Sequence, residues 1–329
     1  MKNKEKNFVF TGLFKDYCPQ YVSYKRNLGF NFGESSFYLL RSMDDYFKKY
    51  NLSSPELTKR MVEDFVSRRD RESDKTQRMR MSLIRQFALF MNRIGFDFYV
   101  FPNELIPIAK TFTPYIFTHD EIERIMNVVD HLTYTPQSKF YHLIYPMLFR
   151  MLYGCGLRIN EALSLKKAEV DLVNGILTIT KAKNNMSRLV PMSWSLTDYC
   201  RNYAVNMGFD MLSEGFFYPS RDTGRYNRTP VYVKLKQFMK NAGIFQNDSV
   251  VPRVHDIRHT YAVHALEKMI NDGQDIYYAL PILSTYLGHR CIESTEKYLR
   301  LTEEAYSSII DALSPLYKDV FPKVVHHEK

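Results

Sequence analysis

Two pairs of charged side chains stand at a spacing that could combine them in chemistry. Arg158 and Glu161 are three residues apart in the sequence Gly-Leu-Arg-Ile-Asn-Glu, and His255 and Arg258 are three apart in His-Asp-Ile-Arg-His. Residues at this spacing share one face of a helix, so each pair presents its side chains in the same direction. Taken alone, each pair is more typical of a surface ion pair or a structural histidine than of a catalytic site.

Two further patterns add lysines, a histidine and a tyrosine. Lys181 and Lys183 lie in a polar turn just before the sequence Arg-Leu-Val-Pro that begins at Arg188. The sequence Leu-Gly-His ends at His289, and Tyr298 follows nine residues later. In a chain with 24 tyrosines, none of these residues is distinctive by itself. The order of the four patterns is what carries information.

Arginines, lysine, histidines and a tyrosine together are suited to attack on a phosphodiester without a metal ion. Two guanidinium groups can bind the non-bridging oxygens and neutralise the charge that develops on them. A tyrosine can act as a nucleophile that stores the cleaved strand as a covalent ester. Histidine and lysine can transfer the protons that this requires. The set therefore predicts phosphodiester cleavage through a covalent intermediate.

In this order and near these spacings, the motifs resemble those of the tyrosine recombinase (phage integrase) family. The resemblance covers residues of about 115–315. The helical residues before them resemble the core-binding domain of the family. The resemblance to this family implies that the protein is a site-specific DNA recombinase or integrase that needs neither a metal ion nor another cofactor.

The resemblance implies a role for each residue that would meet the scissile phosphate. Arg158 and Arg258 bind the phosphate, and His289 donates a hydrogen bond to it. Glu161 is similar to the acidic support residue of the family, which orients its neighbours and does not itself react.

The resemblance also implies which residues act as the nucleophile, the proton acceptor and the proton donor. Tyr298 attacks the phosphate and forms a 3′-phosphotyrosyl link, and His255 accepts the proton of the tyrosine. Lys183 protonates the departing 5′ oxygen; it is preferred to Lys181 because it stands five residues before Arg188. A free 5′ hydroxyl from a partner duplex then reverses the step, which joins strands without ATP.

One segment of the chain is more similar to recombinases of transposons and integrative elements than to the housekeeping Xer recombinases. Between Arg258 and His289, the segment Asn271–Pro281 is longer than in the Xer proteins. This implies integration or excision of a mobile element.

Three alternatives stay open: a type IB topoisomerase, a two-metal transposase, for which no carboxylate cluster is evident, and a non-catalytic DNA-binding regulator.

The distribution of charge indicates a nucleic-acid partner. The formal net charge is +9, and residues 1–110 alone contain 20 basic and 13 acidic side chains. Basic residues are densest between residues 68 and 93. The simpler interpretation is a solvated helical face, and the alternative is that these side chains contact DNA phosphates. The residues predicted to contact DNA are Arg68, Arg69, Lys75, Arg78, Arg80 and Arg85.

Apolar periodicity predicts a mainly α-helical chain with one small antiparallel β-sheet. Helices are expected at residues 35–50, from Ser54-Pro55 onward and at 76–94, which would form a helical core-binding domain over residues 1–107. Three prolines mark residues 108–116 as a linker. Residues 117–329 form the predicted catalytic domain, with a hairpin at 176–192 and a C-terminal tail at 315–329. The two domains are expected to hold DNA between them as a clamp.

Composition excludes several classes of protein. Hydrophobic residues make up 45% and charged residues 25%, which is typical of globular proteins and not of disordered ones. The longest stretch without a charged residue has 14 residues, too short for a membrane span, and no export signal is evident. The four cysteines lie far apart, as in cytosolic proteins with reduced thiols.

The expected partners follow from the predicted reaction. They are double-stranded DNA and three further copies of the chain, since strand exchange between two duplexes needs four tyrosines. An accessory directionality factor would be consistent with the family. We expect the protein in the cytoplasm, associated with the bacterial nucleoid.

Overall fold

The computed structural model describes residues 9–30, 32–107, 113–136, 138–180, 187–220, 224–244 and 252–289, together with residues 291, 295 and 298. The chain forms two compact units, Met1–Thr111 and Phe112–Lys329, and the boundary falls within the stretch predicted as a linker. Lys181, Lys183 and the predicted tail at 315–329 lie outside the described residues. No described helix is long and apolar enough to cross a membrane.

The described part of the first unit is helical. Thr58 caps its third helix by accepting a hydrogen bond from the backbone N–H of Met61, and Ser73 caps the fourth in the same way. The predicted helix start at Ser54-Pro55 is therefore wrong, since the chain reaches helical geometry only after Thr58. The helices are α1 Cys18–Asn27, α2 Glu34–Phe47, α3 Lys59–Val66 and α4 Asp74–Arg93.

An aromatic core holds these four helices together. The ring of Phe14 packs edge-on against the rings of Phe47 and Phe87, and Tyr21 packs edge-on against Phe87. The carboxylate of Asp44 is buried beside this core and accepts three backbone N–H hydrogen bonds at 2.7–3.1 Å from the segment before α1. The amides of that segment compensate the buried charge, so Asp44 fixes the segment against α2.

Arg80 is part of the interior of this unit, so its predicted contact with DNA is wrong. Its side chain is 1% exposed and donates hydrogen bonds to the carboxylate of Glu72 and to the carbonyl oxygens of Phe65 and Ser67. The hydrogen bond from Arg80 lowers the pKa of Glu72. A guanidinium whose donors are used in this way stabilises the junction of α3 and α4 and does not reach a phosphate.

The other cations predicted to contact DNA lie nearer the surface. Arg68, Arg69, Lys75 and Arg78 are exposed, and Arg68 is paired with Asp74 at 2.8 Å. Arg85 is half-buried and donates to the carbonyl oxygen of Phe101 at 2.8 Å. Of the six predicted residues, the four exposed ones keep a geometry in which they could meet DNA.

The second unit is mainly helical with one small sheet, as the sequence predicts. Its first helix begins with a capping box, in which the side chains of Thr118 and Glu121 each accept the backbone N–H of the other residue. Its elements are α5 His119–Asp130, α6 Tyr141–Gly154, α7 Ile159–Ser164, β1 Val170–Asp171, β2 Ile176–Ile179, β3 Arg188–Pro191, α8 Trp194–Asn206, α9 Arg228–Asn241, α10 Val254–Asn271 and α11 Ile276–Leu287.

The sheet has the antiparallel order β1-β2-β3. Strands β2 and β3 form the predicted hairpin, with Ile176 opposite Pro191 and Ile179 opposite Arg188. The two-residue strand β1 was not predicted, because so short a segment carries no alternation of apolar and polar residues. The register places Arg188 at the first position of β3, where its side chain leaves the sheet toward α7 and α11.

Helix α6 forms the centre of the core, and the elements that carry functional residues are arranged around it. It packs against α5, α8 and α10, and α11 packs against α10. The chain then turns at Gly156, where φ is +57° and a Cβ would lie 2.4 Å from the ring of Tyr261. Only glycine fits this turn, which brings Arg158 to the N-cap position of α7.

We predict that Arg80 stabilises the first unit and that Arg78 does not. Arg80→Met leaves the Glu72 carboxylate and two carbonyl groups without their partner, which should cost about 3–5 kcal/mol of the free energy of unfolding. Arg78→Ala, on the exposed face of the same helix, should change it by less than about 0.5 kcal/mol. Thermal unfolding and hydrogen exchange of α4 peptides measure both. Full protection of α4 in Arg80→Met, with weakened DNA binding, would contradict the structural role.

Candidate active site

The side chains of three helices and one strand converge at the end of α11. Arg158 and Glu161 come from the start of α7, and Arg258 comes from the start of α10. Arg188 comes from β3, and His289 follows Gly288, which ends α11 in the left-handed conformation with φ +66°. The tertiary fold thus brings together motifs that lie up to 131 residues apart, from Arg158 to His289.

Glu161 is buried at the centre of this cluster and contacts three guanidinium groups. It accepts hydrogen bonds from Arg158 at 2.8 Å and from both terminal nitrogens of Arg188 at 2.9 and 3.1 Å. Arg258 lies 3.7 Å from the same carboxylate. Burial opposes ionisation, but the hydrogen bonds and charges of Arg188 and Arg158 lower the pKa of Glu161 to about 2. The carboxylate is ionised at neutral pH.

Among the described side chains of the cluster, positive charge is in excess. Three arginines surround one carboxylate, so two positive charges have no anionic partner there. The side chain of Arg158 is 20% exposed, which gives solvent or a ligand access to it. An excess of guanidinium charge at a partly exposed position attracts a phosphate.

Arg258 is the most deeply buried cation of the cluster. Its guanidinium donates to the carbonyl oxygens of Gly156 at 2.7 Å and Leu287 at 2.6 Å, so it ties the turn before α7 to the end of α11. Burial, followed by the charge of Arg158, lowers its pKa to about 10. It therefore stays protonated at neutral pH.

The hydrogen bonds of His289 define which ring nitrogen carries its proton. Nε2 lies 3.2 Å from a terminal nitrogen of Arg258, and Nδ1 lies 2.8 Å from the hydroxyl of Thr295. A guanidinium can only donate, so Nε2 accepts and Nδ1 carries the proton. Burial and the nearby arginine charges lower the pKa of His289 to about 4. The imidazole is neutral at neutral pH.

Tyr298 lies next to this cluster and is 4% exposed. Its hydroxyl oxygen is 3.1 Å from Nδ1 of His259, and its ring is stacked with that of His289 at 6.1 Å. Burial raises the pKa of Tyr298, and the charges of Arg258 and Arg158 oppose this rise. A buried phenol beside cations and an imidazole is placed to lose its proton as it attacks an electrophile.

The residues of this cluster lie within a region that matches a known protein family. The phage integrase family matches residues 116–305. The chain belongs to the phage integrase family of tyrosine recombinases.

Two relatives match most of the chain. A protein of Sinorhizobium fredii (strain NBRC 101917 / NGR234) named as an integrase/recombinase is 29% identical over 319 residues, 93% of this chain and 98% of that protein. Tyrosine recombinase XerA of Thermococcus onnurineus (strain NA1) is 28% identical over 269 residues, which are 80% of this chain and 85% of that protein.

Solved structures show the same fold. The Tn1549 transposon integrase in complex with transposon right end DNA has a TM-score of 0.64 at 15% identity and covers 90% of this chain and 99% of that chain. XerH site-specific recombinase bound to a palindromic difH substrate has a TM-score of 0.62, at 15% identity, and covers 85% of this chain and 78% of that chain.

Most of the residues predicted for the integrase site are brought together. Lys183 and Lys181 lie outside the described residues, so their predicted roles stay predictions. No group of three or more histidine, cysteine, aspartate or glutamate side chains suited to hold a metal ion occurs among the residues that the structure describes. The residues that converge are Arg158, Glu161, His255, Arg258, His289 and Tyr298.

One predicted contact differs in the structure. His255 is predicted to accept the proton of Tyr298, but the imidazole that contacts the hydroxyl is that of His259. The ring of His255 packs edge-on against His259 at 4.7 Å. The two histidines are four residues apart on one face of α10, so the sequence indicates both. Only the position of Tyr298 selects between them.

His259 has the protonation state that a proton acceptor needs. Burial, followed by the charges of Arg253 and Arg258, lowers its pKa to about 4, so it is neutral at neutral pH. Sequence reasoning also missed Arg188, which served only to mark the start of the motif in the second strand of the hairpin. Its charge, five residues after the predicted proton donor Lys183, was the available signal.

We predict that His259 contributes more to cleavage than His255. His259→Gln should slow single-turnover formation of the covalent DNA adduct by about 10² or more, the contribution of a positioned general base. His255→Gln, one turn earlier on the same helix, is the matched control and should have the smaller effect. Rates on a nicked suicide substrate at saturating protein separate this from binding. A larger loss in His255→Gln would restore the assignment made from the sequence.

Proposed function

We propose that this integrase cleaves and rejoins DNA strands at specific sites through a 3′-phosphotyrosyl intermediate, in the integration or excision of a mobile element. The observation that carries the proposal is the buried hydroxyl of Tyr298, hydrogen-bonded to His259 beside three guanidinium groups that share one carboxylate. Nucleophile, proton acceptor and anion site thus occupy one place.

The scissile phosphate would bind at the excess positive charge. Arg158 is the partly exposed guanidinium, and Arg258 lies behind it with a hydrogen-bonded link to His289. Two uncompensated positive charges match the two negative charges of a pentacoordinate phosphorus. A phosphate oxygen would accept the hydrogen bond that Arg258 now donates to Nε2 of His289. Nε2 could then bind a proton and donate a hydrogen bond to the phosphate, which is the role that the resemblance implies for His289.

The proposed chemistry forms one bond and breaks one. The oxygen of Tyr298 attacks the phosphorus, its proton passes to His259, and the bond from phosphorus to the 5′ oxygen breaks. The 5′ oxygen leaves as a hydroxyl after it receives a proton, the role assigned to Lys183. Attack by a 5′ hydroxyl of another strand reverses each event. The ester to tyrosine conserves the energy of the broken bond, so no ATP is needed.

The role in a mobile element rests on the chain's own features and on its relatives. The segment Asn271–Pro281 joins α10 to α11 and includes the first residues of α11. The transposon integrase cited above has the same fold and is bound to DNA of a transposon end. Because the substrate would be element or chromosomal DNA, we place the protein in the cytoplasm with the nucleoid. The exposed cations of α4 would contact DNA phosphates.

A type IB topoisomerase is the second candidate, since it would use similar chemistry to relax DNA. The two functions differ in the product. A recombinase joins strands of two different duplexes at its own site, whereas a topoisomerase rejoins the same strand. A supercoiled plasmid with two paired attachment sites distinguishes deletion or inversion from relaxation.

We predict that Tyr298→Phe binds DNA but forms no covalent adduct, because it lacks the attacking oxygen. Tyr306→Phe, eight residues further on, is the control and should react normally. A nicked suicide substrate followed by denaturing electrophoresis measures the adduct, in the presence of EDTA because no step of the proposal involves a metal ion. An adduct in Tyr298→Phe would place the nucleophile elsewhere, and loss of the wild-type adduct in EDTA would contradict the metal-independent step.

We also propose that the active assembly is a tetramer on two DNA sites, since strand exchange breaks and joins four strands. The apolar residues between Leu316 and Val325 are assigned to contacts between protomers. Deletion of residues 315–329 should leave the binding of one protomer intact and abolish the higher-order complex and recombination. Native gels and recombination of paired sites measure this. Recombination at the wild-type rate by the truncated protein would exclude a role of the tail in assembly.

A further inference from the structure

Three successive carbonyl groups at the end of α11 each accept a hydrogen bond from a different arginine. Nε of Arg188 donates to Tyr286 at 2.9 Å. Arg258 donates to Leu287 at 2.6 Å, and Arg158 lies 3.5 Å from the oxygen of Gly288. The last carbonyls of a helix have no partner within the helix and carry its negative dipole end. These three arginines supply the missing donors and hold the segment that leads to His289.

The same three arginines contact the carboxylate of Glu161, but Arg188 differs from the other two. It uses all three of its nitrogens on protein groups, two on Glu161 and one on Tyr286, and its side chain is 9% exposed. A Cβ at Gly288 would lie 3.0 Å from its Cδ atom, so the chain also packs closely over it. Arg188 is therefore enclosed by β3, α7 and the end of α11.

We propose that Arg188 is a positioning residue that holds Glu161 and the end of α11 so that Arg158 and His289 can act on the phosphate. The inference rests on the proposed function of the same site. Arg188 compensates the charge of Glu161 through a bidentate pair. Arg158 and Arg258 then keep their positive charge for the phosphate.

Without Arg188, the charge balance of the site changes. Arg158, which donates to Glu161 at 2.8 Å, then no longer shares the carboxylate with a second hydrogen-bonded guanidinium, and a buried anion binds its remaining partner strongly. The excess positive charge falls from two to one. Arg158 is then held by Glu161 in competition with the phosphate, and the end of α11 loses one of its three donors. The transition state loses more from this than the ground state, since it carries more negative charge.

The test combines Arg188→Met with Glu161→Gln. The Arg188→Met variant should bind DNA with nearly unchanged affinity. Its single-turnover rate of adduct formation should be about 10- to 100-fold lower, the range for residues that orient a functional group without contacting the substrate. Adding Glu161→Gln removes the charge that captures Arg158, so the double variant should recover part of the lost rate. A merely structural role predicts that the second substitution adds a further loss.

Two other variants keep the test interpretable. Arg188→Lys retains the charge without the bidentate geometry, so it should fold and show an intermediate loss of rate. Arg150→Met is the matched control, because Arg150 also pairs with a carboxylate, that of Asp130, and donates to a carbonyl, but lies outside the site. It should lower thermal stability and leave the rate of adduct formation unchanged.

The outcomes distinguish failure of this inference from failure of the proposed function. Cleavage at the wild-type rate by Arg188→Met, or a further loss in the double variant, overturns the positioning role. Loss of DNA binding with normal cleavage of bound DNA would make Arg188 a direct phosphate contact and also overturns it. If the wild-type protein forms no adduct that depends on Tyr298, the proposed function itself fails.

Discussion

A single buried carboxylate sets the arrangement of the whole site. Glu161 brings three guanidinium groups within 3.7 Å of one side chain, although their charges repel one another. The carboxylate can stay ionised in this environment because its hydrogen bonds compensate its burial. Each arginine also reaches a carbonyl at the end of α11. The carboxylate thus holds α7, α10, β3 and α11 in one geometry, and the excess positive charge remains for an anion.

This charge also decides the protonation of the histidines. Burial and nearby cations lower the pKa values of His255, His259 and His289 to about 4. All three imidazoles are neutral at neutral pH, so one can accept the proton of Tyr298. An incoming phosphate adds negative charge beside them, which favours protonation. With the phosphate bound, one neutral imidazole can therefore accept the proton of Tyr298, and another can become protonated and donate to the phosphate.

The two units use buried arginine for the same physical reason and with different consequences. In the first unit, Arg80 satisfies Glu72 and two carbonyls and stabilises the junction of two helices. In the second unit, Arg158, Arg188 and Arg258 outnumber their carboxylate, and the surplus positive charge attracts anions. The ratio of cations to carboxylates within contact distance, and not the density of arginine along the chain, separates a structural cluster from a functional one.

The sequence by itself determined the family, the mainly helical fold with one hairpin, and six of the residues that converge at the site. Local spacing was enough for these, because motif order and helical periodicity are properties of the chain. The tertiary structure alone decided that Arg80 is interior while Arg78 is exposed, that His259 and not His255 contacts Tyr298, and that Arg188 joins the site. Periodicity assigns a residue to a face of its helix, but only the packing of distant elements decides what covers that face.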